Sequence, residues 1–150
     1  MGGDAAHLAN DPRVAGRLSR PWLDTLRGSF SSYPRARSST SWNSVTTLDS
    51  AGVDLLAGTD ASVPVPSHGG VAHGASVHDE LALLVRAGLS PQAALAAATS
   101  VPARRFGLGD RGRIAPGLRA DLLLVDGDPL DAISHTLDIR AIWRRGVRQS

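Results

Sequence analysis

The run Val53-Asp54-Leu55-Leu56-Ala57, bracketed by Gly52 and Gly58, limits the possible folds more than any other stretch. An apolar run this short, bounded by glycines, reads as a strand covered on both faces. What flanks it supports that reading. Trp42 to Ser50 predicts a helix, with Val45, Leu48 and Asp49 helically spaced and Gly52 at the stop. On the other side, Asp60 to Ser76 is too long and too rich in glycine, proline and histidine for a mere connector, and is a candidate functional loop. A helix then begins, with Val77, Leu81, Leu84 and Val85 at i, i+4, i+7 and i+8 and Gly88 as its terminator. Ser90 and Pro91 read as N-cap and first residue of the next helix, over the alanine-rich QAALAAAT. Ser100-Val101-Pro102 starts a further short turn, through Ala103 to Phe106. Helix, glycine, buried strand, loop and helix is the rhythm of an α/β fold.

The character changes at Gly107. From there glycines punctuate two apolar pieces, Ile114 and Leu122 to Val125. Ile139 to Val147 alternates, with Ile139, Ala141 and Trp143 on one side. These are predicted short strands joined by turns. Ahead of residue 45, Arg20 to Phe30 is a candidate short helix entered after Ser19, and SFSSYPRARSSTS a Ser/Pro/Arg-rich loop. The expected division is therefore 1–107, with 1–44 loop-rich, and 108–150. No internal repeat is evident.

Composition removes several function classes. Cysteine is absent, which excludes disulfides, thiolate metal sites and cysteine nucleophiles. All 16 basic residues are arginine, so a lysine Schiff base or carbamate bridge cannot be built from this chain. The formal charge is only +2 and the arginines are scattered. With three Trp, one Tyr and two Phe there is no basic, aromatic-interleaved stripe, and no nucleic-acid partner is expected. No apolar run approaches the ~20 residues of a membrane span. MGGDAAHLAN lacks the basic and apolar regions of a signal peptide. A cytoplasmic protein without a membrane partner is the expectation.

Five histidines are present, none in HxH or HExxH spacing, so no local two-histidine metal clamp exists. Taken singly, each reads as surface or as hydrogen-bonded structure. Asp60 differs by position. It follows the apolar run and a Gly-Thr turn, which places its carboxylate at the strand's C-terminal end, where α/β enzymes gather catalytic groups. A turn-capping role accounts for Asp60 equally well from spacing alone.

The ordered series is more specific. Gly52-Val-Asp-Leu-Leu-Ala-Gly-Thr-Asp60-Ala is followed by His73-Gly-Ala-Ser-Val-His78-Asp-Glu80-Leu and by Gly88-Leu-Ser-Pro91. It continues through Ala94-Leu95, Ala98-Thr99, Pro102-Ala103, Gly107-Leu108, Gly112, Gly117 and Ala120-Asp121-Leu122-Leu123. Over roughly residues 45 to 148 the chain resembles the amidohydrolase superfamily, in its imidazolonepropionase-like or prolidase-like branch. The resemblance implies the C-terminal part of a (β/α)8 TIM barrel with Asp60 ending its eighth strand. Strands after Gly107 would then complete a small β-sandwich. It implies a metal-dependent hydrolase of amide or cyclic-amide C–N bonds in small molecules. Asp60 would be both metal ligand and catalytic proton acceptor, with His78 and His73 as substrate contacts. The implied cofactor is a divalent metal, with zinc the ion that such carboxylate and histidine sites commonly hold. Glu80 is accounted for by a helix's first turn, where a carboxylate complements the dipole. Asp121 is expected to fix a turn before its strand.

The family's HxH strand and its further histidines are not in this sequence, so Asp60 cannot complete a site alone. The expectation is a fragment inactive by itself, completed by an N-terminal half or by homo-oligomerisation. The rival reading is a non-catalytic remnant, or the partner-binding half of a split enzyme.

Overall fold

In a computed structural model the described residues are 6–28, 38–66 and 70–150, with side chains described from Trp42 onward in the second span. The helices are α1 (Ala6–Asn10), α2 (Pro12–Ala15), α3 (Arg20–Arg27), α4 (Ser38–Ser50), α5 (Ser76–Arg86), α6 (Pro91–Ala98) and α7 (Ser100–Arg105). Strand β1 (Leu122–Val125), a 3-10 helix (Ile133–Leu137), β2 (Ile139–Arg144) and β3 (Val147–Arg148) follow.

Local chemistry explains the boundaries. Ser90 caps α6 as its spacing predicts: its Oγ accepts from the Ala93 N–H at 3.1 Å, and Pro91, which has no N–H to satisfy, comes next. Helix α5 buries Leu81 and Leu84 and ends where Gly88 takes φ +107°, which lets the Leu89 N–H reach back to the Leu84 carbonyl at 3.1 Å. A side chain at Gly88 would also strike the Thr46 methyl at 2.9 Å, so α4 and α5 meet there because the residue is glycine.

Two cores result. Leu81, Leu84, Leu89, Ala94 and Ala97 form one, with Val45, Leu55, Ala57 and Ile133 against it. The other joins Leu8, Ala9, Val14 and Leu26 to Ala72 and Ala75, and Leu8 and Leu26 are among the largest fully buried side chains. The described residues 6–28, in a stretch expected to be loop-rich, thus carry three short helices that contribute to this core. Helix α3 is the one expected after Ser19, with Trp22, Leu23 and Leu26 on its core side, whereas α1 and α2 supply only one or two apolar anchors each, too few to show a period. Of the expected 29–41 loop, residues 29–37 lie outside the described residues, and α4 begins at Ser38.

The sheet is antiparallel, in the order β1-β2-β3, with Leu122 opposite Trp143, Leu123 opposite Ile142 and Leu124 opposite Ala141. Ile139, Ala141 and Trp143 face inward, as their alternation predicts. The single strand expected over Ile139 to Val147 is two, joined at Arg145-Gly146. Both residues have positive φ, +53° and +78°, which suits a two-residue hairpin between right-twisted strands. The Asp121 carboxylate accepts the Arg145 N–H at 2.8 Å and so fixes that turn across the sheet.

Two further expectations are corrected. Ile114 is 87% exposed and lies in no strand. Val53 to Ala57 is extended but belongs to no ladder, and Val53 and Leu56 are exposed. A buried strand needs neighbours on both sides, and the sheet of the described residues is the C-terminal one. The Ala57 N–H donates instead to the Ala97 carbonyl of α6 at 2.9 Å.

The ends of the chain are tied together. Arg13 holds Asp11 at 2.6 Å and Asp138 at 3.1 Å, and Arg17 Nη2 donates to the Ile139 carbonyl at 2.7 Å. These bonds seat α2 against the β portion.

Candidate catalytic carboxylate and its surroundings

Asp60 is exposed and has φ +52°, in the left-handed region that non-glycine residues seldom adopt. Such backbone persists where surrounding structure over-determines it, and it clusters at functional positions. Upstream of it, Asp54 accepts from Arg104 Nη2 at 2.8 Å and from Arg105 Nε at 2.5 Å. Those two guanidiniums hold the Asp54 carboxyl below the ordinary carboxylate value. Burial on α5 raises the Glu80 pKa, and the backbone N–H of Gly58 partly offsets it.

His73, on the far side of the loop, has Nε2 3.0 Å from the Ser62 carbonyl, and its ring sits edge-on to Trp22 with centroids 5.1 Å apart. A carbonyl only accepts, so Nε2 carries the proton. His78 points elsewhere: its Nδ1 is 3.0 Å from Thr136 Oγ1 in the 3-10 helix. Thr136 donates its own hydroxyl proton to the Ile133 carbonyl at 2.8 Å, so it accepts from His78 Nδ1–H. Burial, and then the charge of Arg13, push the His78 pKa down. His78 is therefore a neutral ring with Nε2 left as an acceptor. His68 lies outside the described residues.

Asp79 pairs with His7 Nε2 at 3.1 Å, and burial raises its pKa. Thr59, Ser76, Asp79, Glu80 and Arg86 line a cavity of about 260 Å³ beside α5. The loop geometry thus brings Asp60 and His73 into one closure through Ser62, while His78 belongs to the contact between α5 and the 3-10 helix. Sequence reasoning missed Thr136, an isolated threonine without any pattern.

Among the described residues no group of three His, Cys, Asp or Glu side chains could hold a metal ion. A structural or catalytic zinc site takes at least three protein donors, so the residues described do not by themselves fit a metal.

Comparison with known proteins agrees on one family. A sequence model described as "Amidohydrolase family" matches residues 13–148. The imidazolonepropionase of Deinococcus deserti is 43% identical over 72 residues, covering 45% of this chain and 18% of that protein. The adenine deaminase of Methanoregula boonei is 42% identical over 66 residues, covering 44% of this chain and 12% of that protein. The chain therefore spans less than a fifth of either relative. Among solved structures, an amidohydrolase superposes with TM-score 0.59 at 31% identity, covering 72% of this chain and 25% of that one. Molinate hydrolase superposes with TM-score 0.62 at 25% identity, covering 85% of this chain and 29% of that one.

Proposed function

The chain belongs to the amidohydrolase family, and from that membership we propose that it is the C-terminal part of a hydrolase of C–N bonds in small amides or cyclic amides. Asp60 is its catalytic carboxylate. One observation carries this reading: an exposed, non-glycine aspartate held at φ +52° where an extended, glycine-flanked run ends. A carboxylate there takes a proton from the attacking water and passes it to the departing nitrogen, which leaves as a neutral amine.

In the proposed complete protein residues 1–107 join the barrel and 108–150 a composite β-sandwich. Asp60 contributes one ligand to a divalent metal, zinc in our reading, whose other ligands lie outside this chain. His78, with Nε2 as acceptor, is the proposed substrate contact. His73 has spent Nε2 on Ser62 and offers a substrate only its other edge. The names of the relatives, imidazolonepropionase and adenine deaminase, favour a nitrogen-rich ring as substrate class. No helix among the described residues is long and apolar enough to cross a membrane, which accords with a proposed cytoplasmic site.

The test joins residues 1–150 to the N-terminal half of such a relative. Asp60→Asn is expected to keep the fold and lower turnover on the order of 10²-fold or more. Turnover near the unsubstituted level would remove Asp60 from the chemistry. The exposed apolar side chains of the sheet favour a second reading, a non-catalytic half that binds a partner chain. An upstream reading frame that encodes an HxH stretch and runs into residue 1 would decide for the enzyme.

A further inference from the structure

We propose that His73 is a positioning residue for Asp60, clasping the loop just past it so that the aspartate cannot leave its left-handed backbone. This rests on the reading of Asp60 as the catalytic carboxylate.

The residues before Asp60 are tied to helices: Asp54 to Arg104 and Arg105 of α7, and Ala57 to the Ala97 carbonyl of α6. Ties on one side alone would let Asp60 relax, because rotation at the following residues could carry φ back to negative values. The second tie comes at Ser62. Its carbonyl accepts the His73 Nε2–H at 3.0 Å, which closes the loop eleven residues on.

His73 stands on a firm base. The Gly70 N–H donates to the Thr25 carbonyl at 2.8 Å, and the Ala72 N–H to Ser76 Oγ at 2.8 Å. Ala72 and Thr25 are fully buried, and Trp22 meets the His73 ring edge-on. The bond therefore joins the segment after Asp60 to the core of α1 and α3. Ala61 adds a local turn by donating to Thr59 Oγ1 at 3.4 Å. Fixed at both ends, the carboxylate is held before any ligand arrives, which is how a site avoids ordering costs at the moment of reaction.

The chain has no cysteine, so one introduced thiol is unique. Val63, one residue beyond the clasp and exposed, takes a nitroxide spin label as Val63→Cys. Gln92 on α6, also exposed, takes the control label as Gln92→Cys. Electron paramagnetic resonance spectra are then recorded on the full chain without metal or substrate. His73→Ala is expected to abolish the immobilised component at position 63, and His73→Gln, which keeps a donor at the ε position, to restore it. The label at 92 should not change. An unchanged spectrum at 63 in His73→Ala would overturn the proposal, as would equal loosening in His73→Gln. Loosening of the label at 92 would also overturn it, since His73 would then hold the fold and not the loop. Because no metal or substrate is present, these outcomes are independent of whether Asp60→Asn impairs turnover.

Discussion

His78 and Asp60 stand 18 residues apart in sequence, on either side of one loop, and they differ in exposure. Asp60 is exposed, whereas the ring of His78 is half-buried and faces Arg13 of α2 and Thr136 of the 3-10 helix. The charge of Arg13 is itself shared between Asp11 and Asp138. A histidine whose folded pKa lies below 6.5 binds its second proton more readily when unfolded. Its contribution is therefore present above 6.5 and is lost as pH falls from 6.5 towards the lowered folded value. Denaturation midpoints measured between pH 7.5 and 5 should fall in the parent chain. The fall should shrink in His78→Asn, whose amide can still donate to Thr136 but cannot titrate. An undiminished slope would place the titration elsewhere. Asp79 and Glu80 work in the other direction, because burial raises their pKa values and ionising them costs stability as pH rises.

Among the elements, α6 and the inward face of β2 could be read before the fold was known, because their causes are local. Ser90-Pro91 is a start signal complete in two residues, and Ile139, Ala141 and Trp143 alternate whatever lies across from them. Replacing Ser90 by alanine should cost about 1 kcal/mol, the usual value of an N-cap. Leu81→Ala, which empties a position only 4% exposed in the α5–α6 core, should cost about 2–5 kcal/mol. Urea titrations of helical circular dichroism measure both, and no loss in Ser90→Ala would show that α6 depends on packing and not on its cap. What the sequence hid was non-local. The helices α1 to α3 become a core only because Leu8 and Leu26 meet Ala72 and Ala75, more than forty residues further on. The hairpin at Arg145-Gly146 places an arginine at positive φ, which no turn-residue rule selects, and Asp121, just before β1, supplies its support. Of the candidate site, only Asp60 has a place that the sequence marks, after a glycine-flanked run. The ties around it come from residues 73, 97, 104 and 105, and only the fold brings them together.

At the scale of the whole molecule, two apolar surfaces face solvent. On the sheet, Leu123 and Ile142 pair across one face with Val147 beyond them, and these residues are 49%, 39% and 65% exposed. Val53 and Leu56 are exposed on the extended run, where backbone groups have no ladder. Fully burying a Leu, Ile or Val side chain is worth about 1.5–3 kcal/mol, and a whole domain's margin is only about 5–15 kcal/mol. Covering a few of these half-exposed side chains therefore rivals the stability of the chain itself. Chains offering such faces and an unpaired edge associate. Sedimentation of the 150-residue chain should show concentration-dependent assembly. The double substitution Leu123→Thr and Ile142→Thr, which keeps residues that favour strands, should shift it towards monomer. Joining the chain to the N-terminal half of a relative should do the same without any substitution, by covering both surfaces at once. A compact monomer at all concentrations, with a single cooperative unfolding transition and strong amide protection from Val53 to Ala57, would show that the described residues satisfy themselves. The proposed barrel and sandwich partners would then have no surface left to occupy.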